Sequence, residues 1–250
     1  MGYSNRVEKI KYDFISPFGP SIMVGTIPDS IYDEFSEIIH RVIEEKQRSH
    51  AKQLSGRLDE EWTVERQELF ETRTEEFMTS IVNKYCTDLL ERLYSVKHLS
   101  EENDRSIEEQ SNIPIEVLNT GGWVNNMGSY EYNPVHYHPF CNITTVFYFN
   151  TIDGDFIEEI IAPKNTERNH NAPPSEPGNT DDGMLEIIYN SSHYFELGTM
   201  RIKPKEKQFL IFPAHLLHQV YPFISNKKRI SASFNFTANA DSQIINYGTR

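Results

Sequence analysis

The chain has few cysteines, only two in 250 residues. Cys86 falls in an apparent helix and Cys141 in an apparent strand, and neither has a second cysteine close by in the sequence. Two isolated cysteines exclude a disulfide framework and the paired thiolates of a structural zinc site. We expect both to be reduced thiols in the core.

Positive charge is also scarce, with 24 Lys and Arg against 37 Asp and Glu, for a formal net charge of -13. Such a chain repels a phosphate backbone, so nucleic acid is a poor candidate partner. No apolar run approaches the ~20 residues that span a bilayer, and the first residues lack the apolar core of a signal peptide. We therefore expect a cytoplasmic protein with no membrane partner. Its oligomeric state is left open.

Aromatic residues, in contrast, are plentiful, with 15 Phe and 13 Tyr. The pattern of apolar residues changes near residue 112 from helical periodicity to short runs. Before that point, helical periodicity predicts one amphipathic helix in residues 27–50, with Asp29 and Ser30 as caps. A second helix is predicted over roughly residues 64–99. After residue 112, short apolar runs alternate with turn residues, which is typical of an all-β sandwich or jelly roll.

Two polar segments interrupt this pattern. Residues 101–112 read as a linker, and the proline-rich residues 162–183 read as a long mobile loop inside the β region. We predict that residues 1–112 form an N-terminal strand and helical annex packed on a core of residues 113–250, in one integrated domain.

Two histidines lie one residue apart in VHYHPFCNITTVFYFN, residues 135–150, in a run predicted to be extended. On a strand, His136 and His138 would point the same way and could bind one metal ion. The spacing alone is weak evidence, because such pairs occur by chance in many chains. A third ligand must come from elsewhere, and His215 and His218 are the candidates.

A polar row marks the last predicted strand, where Arg229, Ser231, Ser233 and Asn235 alternate with apolar residues. If this row faces solvent, it is an ordinary surface. If it faces the inside of a barrel, Arg229 is a buried cation that needs an anion. A small carboxylate held by the guanidinium fork and the Ser231 hydroxyl would meet that need.

Together these motifs resemble the Fe(II)- and 2-oxoglutarate-dependent oxygenases, in particular the prolyl-hydroxylase-like branch and its phage and bacterial group with an H-x-H-P motif. The resemblance covers residues 123–150 and 202–236. The motifs that carry it are Trp123-x-Asn125, Pro134-x-His136-x-His138-Pro139, Val146-Phe147-Tyr148-Phe149-Asn150, Phe212-Pro213, Leu217-His218-x-Val220-x-Pro222 and Arg229-Ile230-Ser231-x-Ser233-Phe234-Asn235.

The resemblance implies an α+β chain with a double-stranded β-helix (jelly-roll) core and N-terminal helices packed against it. It implies a hydroxylase that uses Fe(II), 2-oxoglutarate and dioxygen, and it allows ascorbate as a further cofactor. His136 and His218 become iron ligands and Arg229 pairs with the distal carboxylate of 2-oxoglutarate. Tyr148, Ser231 and Asn125 become further cosubstrate contacts.

The sequence departs from the family at His138, where the usual triad has an aspartate or glutamate. A three-histidine ferrous site carries one more unit of positive charge but is chemically reasonable. Alternatively, His138 lies next to the ligands without binding the metal itself, and Asp155, Glu131 or a water takes the third ligand position. His215 is the rival of His218, but the distal motif selects His218. His193 and His170 have no partner pattern.

Two other functions stay open. One is a cupin-like three-histidine dioxygenase without 2-oxoglutarate, which would leave Arg229 and Ser231 unexplained. The other is a non-catalytic jelly-roll binding module, for example a viral accessory protein, which the substitution at His138 favours. The substrate is expected to be a small molecule or a peptide, and nothing in the sequence identifies it.

Overall fold

The structure is a computed structural model that describes residues 11–15, 19–46, 49, 58–98, 115–151, 183–189, 198–223 and 225–240. The helices in these residues are α1 (Asp29–Glu45), α2 (Arg66–Leu69) and α3 (Arg73–His98). The strands are β1 (Tyr12–Ile15), β2 (Ile22–Thr26), β3 (Glu61–Val64), β4 (Ile115–Met127), β5 (Asn133–His136), β6 (Ile143–Asn150), β7 (Leu185–Ile188), β8 (Thr199–Ile202), β9 (Gln208–Pro213), β10 (Leu217–Val220) and β11 (Arg229–Ala240).

The strands form two antiparallel sheets. The larger sheet has the order β1-β2-β9-β6-β11-β4-β3 and the smaller one the order β5-β10-β7-β8. The eight strands β4 to β11 therefore divide into two four-stranded halves, β9-β6-β11-β4 and β5-β10-β7-β8. Strands adjacent in the chain alternate between the two sheets in the way of a jelly roll, except that β7 and β8 pair with each other in the smaller sheet. The predicted double-stranded β-helix core is confirmed.

The N-terminal residues extend the larger sheet at both edges. β1 and β2 continue it beyond β9, and β3 pairs with β4 at the opposite edge. The described residues before 112 thus contribute strands as well as helices. The division of the chain at residue 112 stays a prediction.

The outer face of the larger sheet packs against α1 and α3. Phe35 of α1 lies at the centre, with its ring 5.1 Å from that of Phe147 and 4.8 Å from that of Phe149. Phe234 joins this cluster from β11. Burial of such side chains is the main stabilising term, roughly 1.5–3 kcal/mol each. The helices therefore cover the apolar face of the sheet and leave its opposite face to the smaller sheet.

The predicted helices differ from the observed ones in detail. α1 begins after Pro28, and neither Asp29 nor Ser30 caps it through a side chain. The predicted 64–99 helix is wrong at its start, because the chain first completes β3 and then the short α2. Thr72 lies between α2 and α3, and its hydroxyl donates to the carbonyl of Leu69. The same hydroxyl accepts from the amide of Glu75 and so caps the first turn of α3.

The predicted strands in described residues are present, as β4, β6, β7, β8, β9 and β11. The run containing His136 and His138 is not one strand, since His136 ends β5 in the smaller sheet and β6 lies in the larger one. The linker at 101–112 and nearly all of the predicted loop 162–183 lie outside the described residues. Among the described helices, none combines the length and apolar character needed to cross a membrane.

Candidate metal and cosubstrate site

The inner faces of the two sheets enclose a narrow cavity that contains most of the predicted site residues. Cross-strand pairing explains this, because directly opposed residues share a face of the sheet. Residues from both sheets line the cavity: Trp123, Asn125, Asn133, His136, His138, Val146, Tyr148, Leu185, His218, Val220, Arg229, Ser231 and Ser233. The polar row of β11 therefore faces the interior of the jelly roll rather than solvent.

His136 and His218 are direct cross-strand partners on β5 and β10. Their rings lie 4.2 Å apart between centroids. The next pair along these strands is Asn133 with Val220. Between the two pairs the chain advances three residues on β5 but only two on β10, which is a β-bulge. This bulge lets Asn133 and His136 both line the cavity, although simple alternation would put them on opposite faces.

His138 follows the end of β5 and completes a group of three histidines. Its ring centroid is 5.3 Å from that of His136 and 4.9 Å from that of His218. One ring nitrogen of each histidine lies within 4.8 Å of the others. In the described part of the chain, this is the one group of three histidine, cysteine or carboxylate side chains arranged to hold a metal ion.

Each of the three Nδ1 atoms faces a hydrogen-bond acceptor. His136 Nδ1 lies 2.7 Å from the carbonyl oxygen of Pro134, and His218 Nδ1 lies 2.9 Å from that of Leu216. Because a carbonyl only accepts, each Nδ1 must carry the proton, and Nε2 is left with a free lone pair. This is the arrangement of metal-binding histidines, whose second nitrogen is held by an acceptor.

His138 is held by side chains instead of the backbone. Its Nδ1 lies 2.7 Å from Oδ1 of Asn235 and 3.0 Å from the hydroxyl oxygen of Thr144. The Thr144 hydroxyl in turn lies 3.2 Å from Asn235 Oδ1, to which it can donate. The opposite nitrogen, Nε2 of His138, is buried and has no hydrogen-bond partner among the residues that the structure describes. A buried lone pair without a donor suits a metal ion.

Burial also keeps the imidazoles neutral. It lowers the pKa of His136, and it lowers the pKa of His138 to about 4. The pKa of His218 lies well below its usual value, mainly because of burial and further because of the two neighbouring histidines. A neutral imidazole is the form that binds a metal, so the donor set fits a divalent cation such as Fe(II).

The carboxylate alternatives at this site differ in availability. Both oxygens of Glu131 are occupied, since Oε1 accepts from the amide of Asp59 at 2.9 Å and Oε2 accepts from the amide of Gly128. Asp155 lies outside the described residues. His215 is exposed and does not line the cavity, in contrast to His218. His170 and His193 also lie outside the described residues.

Arg229 is a fully buried cation in the same cavity. Its side chain is 1% exposed, and Nη1 donates to the Ser231 hydroxyl at 3.1 Å and contacts the Met127 sulfur at 3.3 Å. Its guanidinium carbon lies 5.2 Å from the centre of the Tyr148 ring. Among the described residues, no carboxylate forms an ion pair with Arg229. A buried cation without an anion is costly, which indicates a missing anionic ligand.

Two polar atoms beside Arg229 lack partners as well. The Tyr148 hydroxyl and the Arg229 Nε are both buried, and within the described part of the chain neither makes a hydrogen bond of normal geometry. Burial raises the pKa of Tyr148, opposed by the nearby guanidinium, so the tyrosine keeps its proton and can donate. These donors converge on one end of the cavity, as recognition of a carboxylate requires.

Two further polar side chains, Asn125 and Asn133, line this cavity, and Glu61 lies on the strand next to Asn125. The sequence analysis named Asn125, on β4, and its neighbours across the strands are Ser231 on one side and Glu61 on the other. Glu61 was not predicted, because it precedes the helix predicted from residue 64 and no strand was expected there. Asn133 was missed because the bulge in β5 reverses the expected alternation.

Comparisons with solved structures give similarities at low sequence identity. The crystal structure of a Pseudomonas putida prolyl-4-hydroxylase has a TM-score of 0.47 and 11% identity, covering 92% of this chain and 93% of that one. The viral collagen prolyl hydroxylase of Paramecium Bursaria Chlorella virus-1, in complex with 2OG, has a TM-score of 0.44 and 13% identity, covering 90% and 94%. Both scores are below 0.5, so the fold assignment is based on the strand order of the chain itself.

Among curated proteins, none matches the chain. One sequence family does match, the family described as "Putative 2OG-Fe(II) oxygenase", over residues 121–235. These residues run from β4 to β11 and include the three clustered histidines, Arg229 and Tyr148. Residues 121–235, slightly less than half of this chain, are therefore similar to the family of putative 2OG-Fe(II) oxygenases.

Proposed function

We propose that this protein is an Fe(II)- and 2-oxoglutarate-dependent oxygenase that hydroxylates a C–H bond of a small-molecule or peptide substrate. The observation that carries the proposal is the meeting of two unlike sites in one cavity. Three neutral histidines present free lone pairs, and a buried, unpaired arginine lies on the facing sheet. A metal ion and a carboxylate would satisfy both sites at once.

In this proposal, His136, His138 and His218 hold Fe(II) through their Nε2 atoms. The acceptors behind them fix the ring orientation and the tautomer before the metal arrives, so binding costs little reorganisation. When bound, Fe(II) with 2-oxoglutarate activates dioxygen and oxidises a C–H bond, with release of succinate and carbon dioxide. Three protein ligands leave the other coordination positions free for that chemistry.

Arg229 would bind the distal carboxylate of 2-oxoglutarate. The guanidinium offers a planar fork, and its Nη1 already lies against Ser231, which holds the side chain in place. The Tyr148 hydroxyl can donate to the same carboxylate. Because all these groups are buried, the ion pair would be screened little by water. A three-histidine dioxygenase without 2-oxoglutarate would leave this cation unpaired.

The test measures succinate formed from 2-oxoglutarate by protein reconstituted with Fe(II). We expect succinate from the wild type and a strong loss in His218→Ala and in Arg229→Gln. His215→Ala and Lys227→Gln are matched controls, because both residues are exposed and lie outside the cavity. A wild type that binds neither iron nor 2-oxoglutarate contradicts the proposal and favours a non-catalytic module. Turnover of a substrate without 2-oxoglutarate favours the cupin-like alternative.

A further inference from the structure

The unsatisfied polar atoms of the cavity fall into two chemical groups. The donors are the Arg229 Nε and the Tyr148 hydroxyl. Apart from Nε2 of His138, which is assigned to the metal, the acceptors are the Oδ1 atoms of Asn125 and Asn133. Oε2 of Glu61, on the strand next to Asn125, is unsatisfied as well. The carbonyl and carboxylate oxygens are buried as deeply as the donors, since Asn125 is 6% exposed, Asn133 5% and Glu61 1%. A buried acceptor without a donor costs about 1–3 kcal/mol.

The proposed cosubstrate cannot satisfy these acceptors. At neutral pH, 2-oxoglutarate carries two carboxylates and a ketone, all of which accept hydrogen bonds and none of which donates. Its carboxylate matches the donors at the Arg229 end of the cavity, whereas its oxygens would be repelled by the acceptor oxygens of the protein. The protein also supplies no donor to them within the described residues. These acceptor oxygens are therefore left for a different molecule, in place of the cosubstrate contact that the resemblance implies for Asn125, and the primary substrate is the one that must enter this cavity.

Glu61 adds negative charge to this set. It is the direct cross-strand partner of Asn125, so their side chains lie on the same face of the sheet. Among the described residues, Glu61 forms no ion pair, and burial raises its pKa to about 7. A cation beside it would stabilise the carboxylate and form a buried pair, whereas a neutral donor would not.

We infer that Glu61, Asn125 and Asn133 form an acceptor wall that selects a primary substrate bearing a cationic nitrogen group, an alkylguanidinium or alkylammonium. The inference rests on the proposed function. Asn125 and Asn133 line the cavity from opposite sheets and would accept N–H bonds from the substrate. Glu61 would supply the countercharge from the strand next to Asn125. Glu61 lies outside the residues that match the oxygenase family.

The experiment is isothermal calorimetry on Fe(II)-loaded protein without oxygen, with butylguanidinium as the probe and butanol and butyrate as comparison ligands. The probe is titrated with and without 2-oxoglutarate, whose own binding is measured first. We expect butylguanidinium to bind and butanol and butyrate not to bind. Glu61→Gln and Asn133→Leu should each lower the affinity for butylguanidinium at least about tenfold, while the affinity for 2-oxoglutarate is unchanged.

Glu65→Gln is the matched control, because Glu65 is exposed four residues further along. If 2-oxoglutarate binds but butylguanidinium binds no better than butanol, the acceptor wall is wrong and the oxygenase proposal stands. If Glu61→Gln keeps full affinity for the probe, Glu61 is a neutral acid bonded to Asn125 and the inference fails. If 2-oxoglutarate does not bind, the oxygenase proposal fails, and loss of probe binding in Glu61→Gln still supports the wall.

A second probe, N-acetyl-arginine N-methylamide, distinguishes the source of the cationic group. Tighter binding of this compound than of butylguanidinium indicates a side chain within a peptide. Tighter binding of butylguanidinium indicates a free small molecule. Either result supports the acceptor wall only where butylguanidinium itself binds better than butanol, and its failure to do so overturns the wall.

Discussion

The Nδ1 atom of His138 lies 2.7 Å from the amide oxygen of Asn235, so a side chain of β11 orients a candidate ligand that follows β5 of the other sheet. Loss of such an outer-shell partner typically costs 10–100-fold in metal affinity. We expect Asn235→Ala to weaken Fe(II) binding by roughly this factor, measured by competition with a chelator. Asn239→Ala, at an exposed position of the same strand, should bind Fe(II) as the wild type does.

The roles of the two distal histidines can be separated by substitution. His218→Ala removes a buried ring with its Nε2 available, and His215→Ala removes an exposed ring. We expect His218→Ala to lower metal affinity by more than the 10–100-fold expected for Asn235→Ala. His215→Ala should leave metal affinity unchanged. Metal content after dialysis measures the difference. Equal loss in both variants would show that the effect is structural.

His138 is the residue in which this site departs from the usual triad. We expect His138→Asp to retain Fe(II), because a carboxylate oxygen is a suitable ligand and its charge offsets that of the ion. His138→Leu fills similar space without a ligand atom and should lose the metal. Fe(II) titration of both variants tests this. Wild-type affinity in His138→Leu would mean that His138 is not a ligand.

The buried guanidinium of Arg229 should control cosubstrate affinity without affecting the metal. We expect Arg229→Gln to weaken 2-oxoglutarate binding by about ten- to a hundredfold, since hydrogen bonds to charged groups contribute about 1.5–3 kcal/mol. Arg229→Lys should fall between Arg229→Gln and wild type, because an ammonium keeps the charge but lacks the fork. Calorimetry with Fe(II)-loaded protein measures both. A parallel loss of Fe(II) would indicate collapse of the cavity instead.

Glu61 should make stability depend on pH. Burial raises the pKa of its carboxyl from 4.5 to about 7, so the folded state holds the proton more tightly than the unfolded state. Its stabilising contribution is complete below about pH 4.5 and is lost as pH rises through 7. Relative to Glu61→Gln, the wild type should lose about 2–3 kcal/mol of unfolding free energy across this window. Urea unfolding at pH 5 and pH 8 measures it, with Glu65→Gln as control.

Much of the site could be predicted because local patterns carry it. The H-x-H pair, the histidine after a short apolar strand and the arginine that begins the last strand are all visible in the sequence, in the order that the oxygenases use. The structure brings His136, His138, His218 and Arg229 into one cavity, and their roles as ligands stay predictions. The helix boundaries were less accurate, since the second predicted helix starts at residue 64, the last residue of β3, and runs through the break between α2 and α3.

Glu61 and Asn133 could not be found in this way. Glu61 enters the site only because β3 pairs with β4 in a register that opposes it to Asn125. Asn133 faces the cavity only because a bulge in β5 breaks the alternation of side chains. Pairing and bulges join residues far apart in the sequence, so no local periodicity records them.

By itself, the sequence determined the residue types and spacings that metal and carboxylate binding require, and the alternation that separates the polar and apolar faces of β11. Only the tertiary structure decided which face is inside, which acceptor holds each imidazole and which acidic side chain lies beside the cavity. The physical reason is that alternation along a strand is a local property. Burial and hydrogen-bond partners depend on the strand or sheet that lies opposite, which is chosen by the packing of the whole chain.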